Sequence, residues 1–243
     1  QFDVTWMMDF ENVKDIICFR LVNLEKNKEL LQDMPYRKFL DLAIVYYCLV
    51  DNNKDGVASI RITNEHIKRW NISQLDLLEL ATYNTPILFP GIVRSMMEVV
   101  KELFMKNSIM STFEAEDMLC EDSNAYYFNN ENRLEESVID EALSKICNNK
   151  CEAYVLTNIN AINGASAMLY NGVIEQLANR LKSNLCILPS SVHEVILLPY
   201  TNDEDVELFK TWVKEINQTK VAKGDVLSDS VYIYQRKECA IVM

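Results

Sequence analysis

Histidine is scarce in this chain: His66 and His193 are the only two among 243 residues. That scarcity argues against a histidine-rich metal centre. The one close cysteine pair, Cys147 and Cys151, has no two further soft ligands near it to complete a site. No apolar run approaches the roughly 20 residues a helix needs to cross a bilayer, so no membrane partner is expected. A phosphate-loop lysine pattern is missing, as is a complete dinucleotide fingerprint, and no cofactor is expected. Cations are outnumbered as well: 24 Lys and Arg face 36 Asp and Glu, a net charge of −12. Such a chain repels a phosphate backbone, which disfavours nucleic acid as a partner.

Seven cysteines at irregular spacings cannot form a complete disulfide framework. They point to a reducing compartment. The length fits one large domain or two small ones. Hydrophobic residues make up 49% of the chain, enough for a sizeable core. The chain opens at Gln1 without a signal-like segment, and the missing initiator methionine suggests an upstream region.

Hydrophobic spacing predicts an α+β protein built mainly from antiparallel sheets with packed helices. In the first half, Phe10, Val13, Ile16 and Ile17 recur at helical spacing, with Ile16–Val22 ending that helix or forming a strand. Asn27–Met34 reads as a short helix stopped by Pro35. Phe39–Val50 is a buried strand rich in β-branched and aromatic residues, and Val57–Thr63 its return after a polar turn. Ser73 caps a helix over Gln74–Tyr83, Pro86 and Pro90 break the chain, and Gly91–Lys106 forms another helix. In the second half the prediction is a strand at Tyr154–Thr157, a helix over Ala165–Lys182 and a hairpin from Leu185–Leu188 and Glu194–Pro199. A helix over Glu204–Gln218 follows, then strands at Val231–Tyr234 and Ala240–Val242. Between the halves lies an acidic connector. Glu114, Glu116, Asp117, Glu121, Asp122, Glu131, Glu135, Glu136, Asp140 and Glu141 face only Arg133 there. This gives three regions: an N-terminal half over 1–110, the connector over 111–150 and a C-terminal half over 151–243. The halves share an order of strand, helix, strand, strand, helix, which raises the expectation that they are related.

Chemistry, if present, concentrates in the second half. The turn Pro189-Ser190-Ser191 leads into His193, and a serine nucleophile needs a base in reach and a carboxylate to orient it. On an extended strand Ser191 and His193 face the same way and Glu194 the other, so another carboxylate, such as Asp225 or Asp229, must supply the acid. Ser191 and His193 are therefore the catalytic candidates. The competing reading is a hairpin turn whose serines bond the backbone. Asn158, Asn163, Gly164, Ser166 and Ser190 are the ligand-binding candidates. Asn163-Gly164-Ala165-Ser166 opens a helix, where free N–H groups can hold an anion; helix capping explains the same residues. Asp51, Asn53, Asp55 and Gly56 match the first half of a calcium loop, but Ile62 stands where the bidentate acid belongs.

Residues 2–50 carry a resemblance, together with the segments HIKRWNIS, ATYNTP, YVLTN, NGASAMLY, ILPSSVHEVILLP and LSDSVYIY. The chain resembles DUF5688, an uncharacterised bacterial family from anaerobic Gram-positive gut bacteria. The resemblance implies a bacterial cytoplasmic protein with an additional N-terminal region and, in this chain, a longer acidic connector than is usual. It transfers no catalytic residue. The expected role is a non-enzymatic accessory or protein-interaction domain with a basic protein partner. The alternative is a small-ligand-binding or hydrolytic protein, its site formed where the Ser190–His193 turn meets the Asn158–Ser166 loop.

Overall fold

The computed structural model describes residues 5–53, 56–99, 102, 152–189, 191–200 and 202–243. The acidic connector, the Cys147/Cys151 pair, Asp55 and Ser190 lie outside them. The fold is α+β, with two antiparallel-rich sheets and packed helices. Contacts divide the chain into one unit of Gln1–Val93 with Leu156–Met243 and another of Arg94–Val155. In the second unit, Arg94 pairs with Glu102 at 2.9 Å, and the Met96 N–H donates to the Ala153 carbonyl at 2.8 Å.

In the large unit the first sheet centres on β3 (Leu42–Asn53), with β1 (Ile17–Asn23) antiparallel along one side. On the other side β2 (Tyr36–Phe39) pairs with the start of β3 and β4 (Gly56–Arg61) with its end. The strand is legible because alternate residues have separate tasks. Ala43 and Val45 pack on Leu31 and Met34, next to and within reach of the short helix α1 (Lys28–Leu31). Leu42, Ile44, Tyr46 and Cys48 are buried too. The predicted strand starts three residues early: Leu40 has φ 53°, a left-handed turn that separates β2 from β3. Two elements escaped prediction, β2 itself and α2 (Asn64–Trp70).

The helix α3 (Gln74–Leu88) starts at Ser73 as predicted, in a reciprocal capping box with Asp76. It does not stop at Pro86. That proline sits in the last turn and removes a single bond, while Ala81, Asn84 and Thr85 are buried against β1. Packing outweighs the lost bond. Pro90 does end the element, but Gly91–Lys106 is not one helix: β5 (Gly91–Ser95) is a strand, and helical backbone begins only at Met96. Sheet pairing overrides the helical spacing of Ile92 and Met96.

The second sheet runs β10-β9-β7-β8-β6-β5. Its strands are β6 (Tyr154–Asn158), β7 (Leu185–Leu188), β8 (Val195–Pro199), β9 (Tyr232–Gln235) and β10 (Ala240–Val242). The predicted hairpin of β7 with β8 is an antiparallel pair, and the last two predicted strands, β9 and β10, also pair antiparallel. The helix predicted over Ala165–Lys182 is broken. A 3-10 segment (Gly164–Leu169) precedes α4 (Val173–Leu181), and Gly172 at φ 77° turns the chain between them. The last helix, α5 (Asp203–Thr219), buries Val206, Phe209 and Val213 and is capped by Asn202. The halves are not repeats. β3 lies between β1 and β4, but β8, the counterpart of β4, lies between β6 and β7. The shared order of elements is a coincidence of common parts.

The halves are sewn together along the outer edge of β1, whose N–H groups have no strand partner there among the described residues. The Phe19 N–H donates to Thr85 Oγ1 at 2.9 Å and the Leu21 N–H to Ser166 Oγ at 3.2 Å. Asn23 Nδ2 donates to the Leu227 carbonyl at 2.9 Å. Asp41 accepts hydroxyls from Ser228 (2.5 Å), Ser230 (3.1 Å) and Tyr232 (2.6 Å). Burial, with the bond to Asp41, pushes the Tyr232 phenol well up from its ordinary value.

Two predictions follow from this packing. Ser166→Ala leaves the buried Leu21 N–H without an acceptor, and urea titration should show a loss of about 1–3 kcal/mol. Burial pushes the Cys18 thiol up to about 11 and Cys48 to about 12, and Cys186 is buried as well. The Cys18 and Cys48 thiols are protonated at neutral pH, and burial shields all three. Alkylation of the native protein followed by peptide mapping should modify exposed Cys239 and spare these three.

Candidate functional site

β6 ends in Asn158, whose side chain builds the loop that follows. Its Oδ1 accepts the N–H groups of Asn160 (3.0 Å) and Ile162 (3.4 Å), while Nδ2 donates to the Ile162 carbonyl at 2.9 Å. Ala161 and Asn163 both take left-handed φ of 52°. The loop thus coils tightly and delivers Gly164 into a space with no room for a side chain. A Cβ there would lie 2.2 Å from Thr157 Oγ1, 2.5 Å from the His193 carbonyl and 2.7 Å from the Asn158 nitrogen.

The turn before β8 meets this loop. The Asn163 N–H donates to His193 Nδ1 at 3.2 Å, and Thr157 Oγ1 donates to the His193 carbonyl at 2.8 Å. The Ala165 N–H reaches the Val192 carbonyl at 3.2 Å, and the Val192 N–H reaches the Asp225 carbonyl at 2.8 Å. Acceptance at Nδ1 places the ring proton of neutral His193 on Nε2. That nitrogen faces Asp225 Oδ1 at 3.7 Å, close enough for charge to matter and too long for a hydrogen bond.

Ser191 is buried, and its Oγ accepts the His193 N–H at 3.0 Å. General-base activation needs the serine proton to point at a bare ring nitrogen; here the bare nitrogen, Nδ1, takes a main-chain N–H. Of the two acids proposed to orient the ring, Asp225 comes to it and Asp229 instead accepts from Asn217 Nδ2 at 2.8 Å. Ser166 turns away from His193 toward Leu21. The structure therefore brings Asn158, Asn163 and Gly164 together with Ser191, His193 and Asp225. Thr157 and Val192 complete the contact, and neither was marked by a motif.

Asn158, Asn163 and Ser166 also line a crevice with Phe19, Arg20 and Tyr170, of about 10 Å3, space for about one water. Arg20 is held by Ser59 Oγ at 2.7 Å and lies 4.3 Å over the Tyr47 ring. Sequence reading missed Arg20 because it sits in the other half of the chain. On the calcium-like turn, Asp51 accepts from Asn53 Nδ2 at 2.7 Å. Among the described residues no group of three or more His, Cys, Asp or Glu is placed to hold a metal ion. Nor is any described helix long and apolar enough to cross a membrane.

The model of a family described only as one of unknown function matches residues 1–236. No curated protein and no solved structure matches the chain.

Gly164→Ala is the sharpest test of the loop–turn contact. Two of its three clashes are with main chain, which cannot swing aside. Thermal or urea unfolding should register a loss of about 3 kcal/mol or more, well beyond an ordinary surface change.

Proposed function

We propose that this chain, which belongs to the family of unknown function DUF5688, is a non-catalytic domain that works through contact with a basic protein. The observation that carries this reading is the inward use of the candidate site. Ser191 Oγ, His193 Nδ1 and the Asn158 amide all bond groups within their own loop and turn, and the adjoining crevice has space for about one water. The basic partner is supported by the stretch from Glu114 to Glu141, where acids face only Arg133. Such a stretch attracts cations over a Debye length. A cytoplasmic location is supported by the free thiols of Cys18, Cys48 and Cys239.

A second reading keeps a small-ligand or hydrolytic site at Ser191 and His193. The observation in its favour is the approach of Asp225 to the His193 ring.

One pair of measurements separates them. Anisotropy titration with a lysine-rich peptide should show binding that weakens at least tenfold when the acids of 114–141 are changed to Asn and Gln. Neutralising Asp203, Glu204 and Asp205 should have far less effect. Turnover of activated esters by the wild type, abolished in Ser191→Ala, would overturn the proposal and establish the second reading.

A further inference from the structure

The other histidine does a different job. α2 opens at Thr63, and its third residue is His66. In a capping box that position is normally Glu or Gln, whose side chain reaches back to the first N–H. Here the Thr63 N–H donates to His66 Nδ1 at 3.0 Å, and Thr63 Oγ1 lies 2.9 Å from the same nitrogen. Accepting a main-chain N–H requires a bare Nδ1, so the neutral ring carries its proton on Nε2.

The ring is tied to the start of the chain. It stacks on Trp70 with centroids 5.4 Å apart and planes 25° apart. Trp70 is buried, donates its indole N–H to the Met7 carbonyl at 2.9 Å, and lies 6.1 Å from the Phe10 ring. One imidazole thus joins the first turn of α2 to the 3-10 segment Thr5–Met8, whose Met7 is a core residue, as is Val13 further along. A Gln in this place would do the same at any pH. A histidine does it only while unprotonated.

The segments neighbouring α2 carry the following charged groups, of which Glu65 acts on the ring. Its own helix carries Glu65, Lys68 and Arg69, and β4 ends in Arg61. The turn Thr5–Met8 carries no charge, whereas Asp9 and Glu11 follow it. Asp33 approaches through its carbonyl, which accepts the Asn64 N–H. Glu65 favours the proton, but burial opposes it more strongly and holds His66 below its ordinary 6.5.

We propose that His66 is an acid-released latch: a proton on Nδ1 breaks the cap of α2 and loosens the grip of Trp70 on the N-terminal segment. The sign follows from the lowered folded value. The latch contributes fully above the unfolded histidine value near 6.5, and its contribution is lost as pH falls through the folded value.

Hydrogen-exchange protection factors at pH about 7.5 and about 5.5, either side of the histidine range, test this. In the wild type, amides of 65–70 and of 7–13 should both lose about fivefold in protection at the lower pH, the scale of a lost cap. His66→Gln, which keeps an acceptor that does not titrate, should show neither loss. An equal loss in the Gln variant, or none in the wild type, overturns the proposal. A loss confined to 65–70 overturns the link to the N-terminal segment. Should the Gln variant fail to fold, the ring nitrogen shifts of wild-type His66 decide. A bare Nδ1 at neutral pH with a midpoint below 6.5 supports the latch, and a proton on Nδ1 at neutral pH ends it.

Discussion

The outer edge of β1 is the constraint on which the rest of this structure depends. An unpaired strand edge inside a protein strands its N–H groups, and each one left bare is costly. Among the described residues no further strand covers it. Two hydroxyls do, Thr85 from α3 and Ser166 from the 3-10 segment of the other half. Those two bonds fix where α3 and the second half must stand, and the loop after β6 follows because Ser166 lies only two residues beyond Gly164. The clasp between Asn163 and His193 then completes a contact whose position the β1 edge has already determined.

This ordering explains why elements were more legible than contacts. β3, α5 and the two antiparallel hairpins declare themselves through period and turn residues, since each buries one face in a manner its own sequence encodes. The misread elements are those settled by distant partners. Gly91–Ser95 became a strand because β6 offered an edge, and α3 continued through Pro86 because Asn84 and Thr85 had carbonyls and an N–H of the first strand region to bond. The Asn171-Gly172 break was a local signal, overlooked inside a helical pattern.

The candidate site was legible as a meeting of two segments but not as chemistry. Ser191, His193 and the Asn158–Gly164 loop do come together, and Asp225 arrives as one of the two acids anticipated. What spacing along the chain cannot encode is which ring nitrogen faces which donor. Asn163 offers its main-chain N–H to Nδ1 only because Ala161 and Asn163 turn left-handed, and a left-handed asparagine looks like any other in sequence. Arg20 escaped notice for a related reason: it belongs to β1, and the crevice it lines is formed from both halves.

Asp41 has a consequence for how the chain is made. Its three hydroxyl partners lie 187, 189 and 191 residues further along, so this carboxylate waits through the synthesis of at least 187 more residues for the groups that satisfy it. Long-range closure of this kind slows folding, and a domain emerging N-terminus first exposes what is unfinished. The nascent first sheet therefore leaves the ribosome with an open corner, which Ser228, Ser230 and Tyr232 later close.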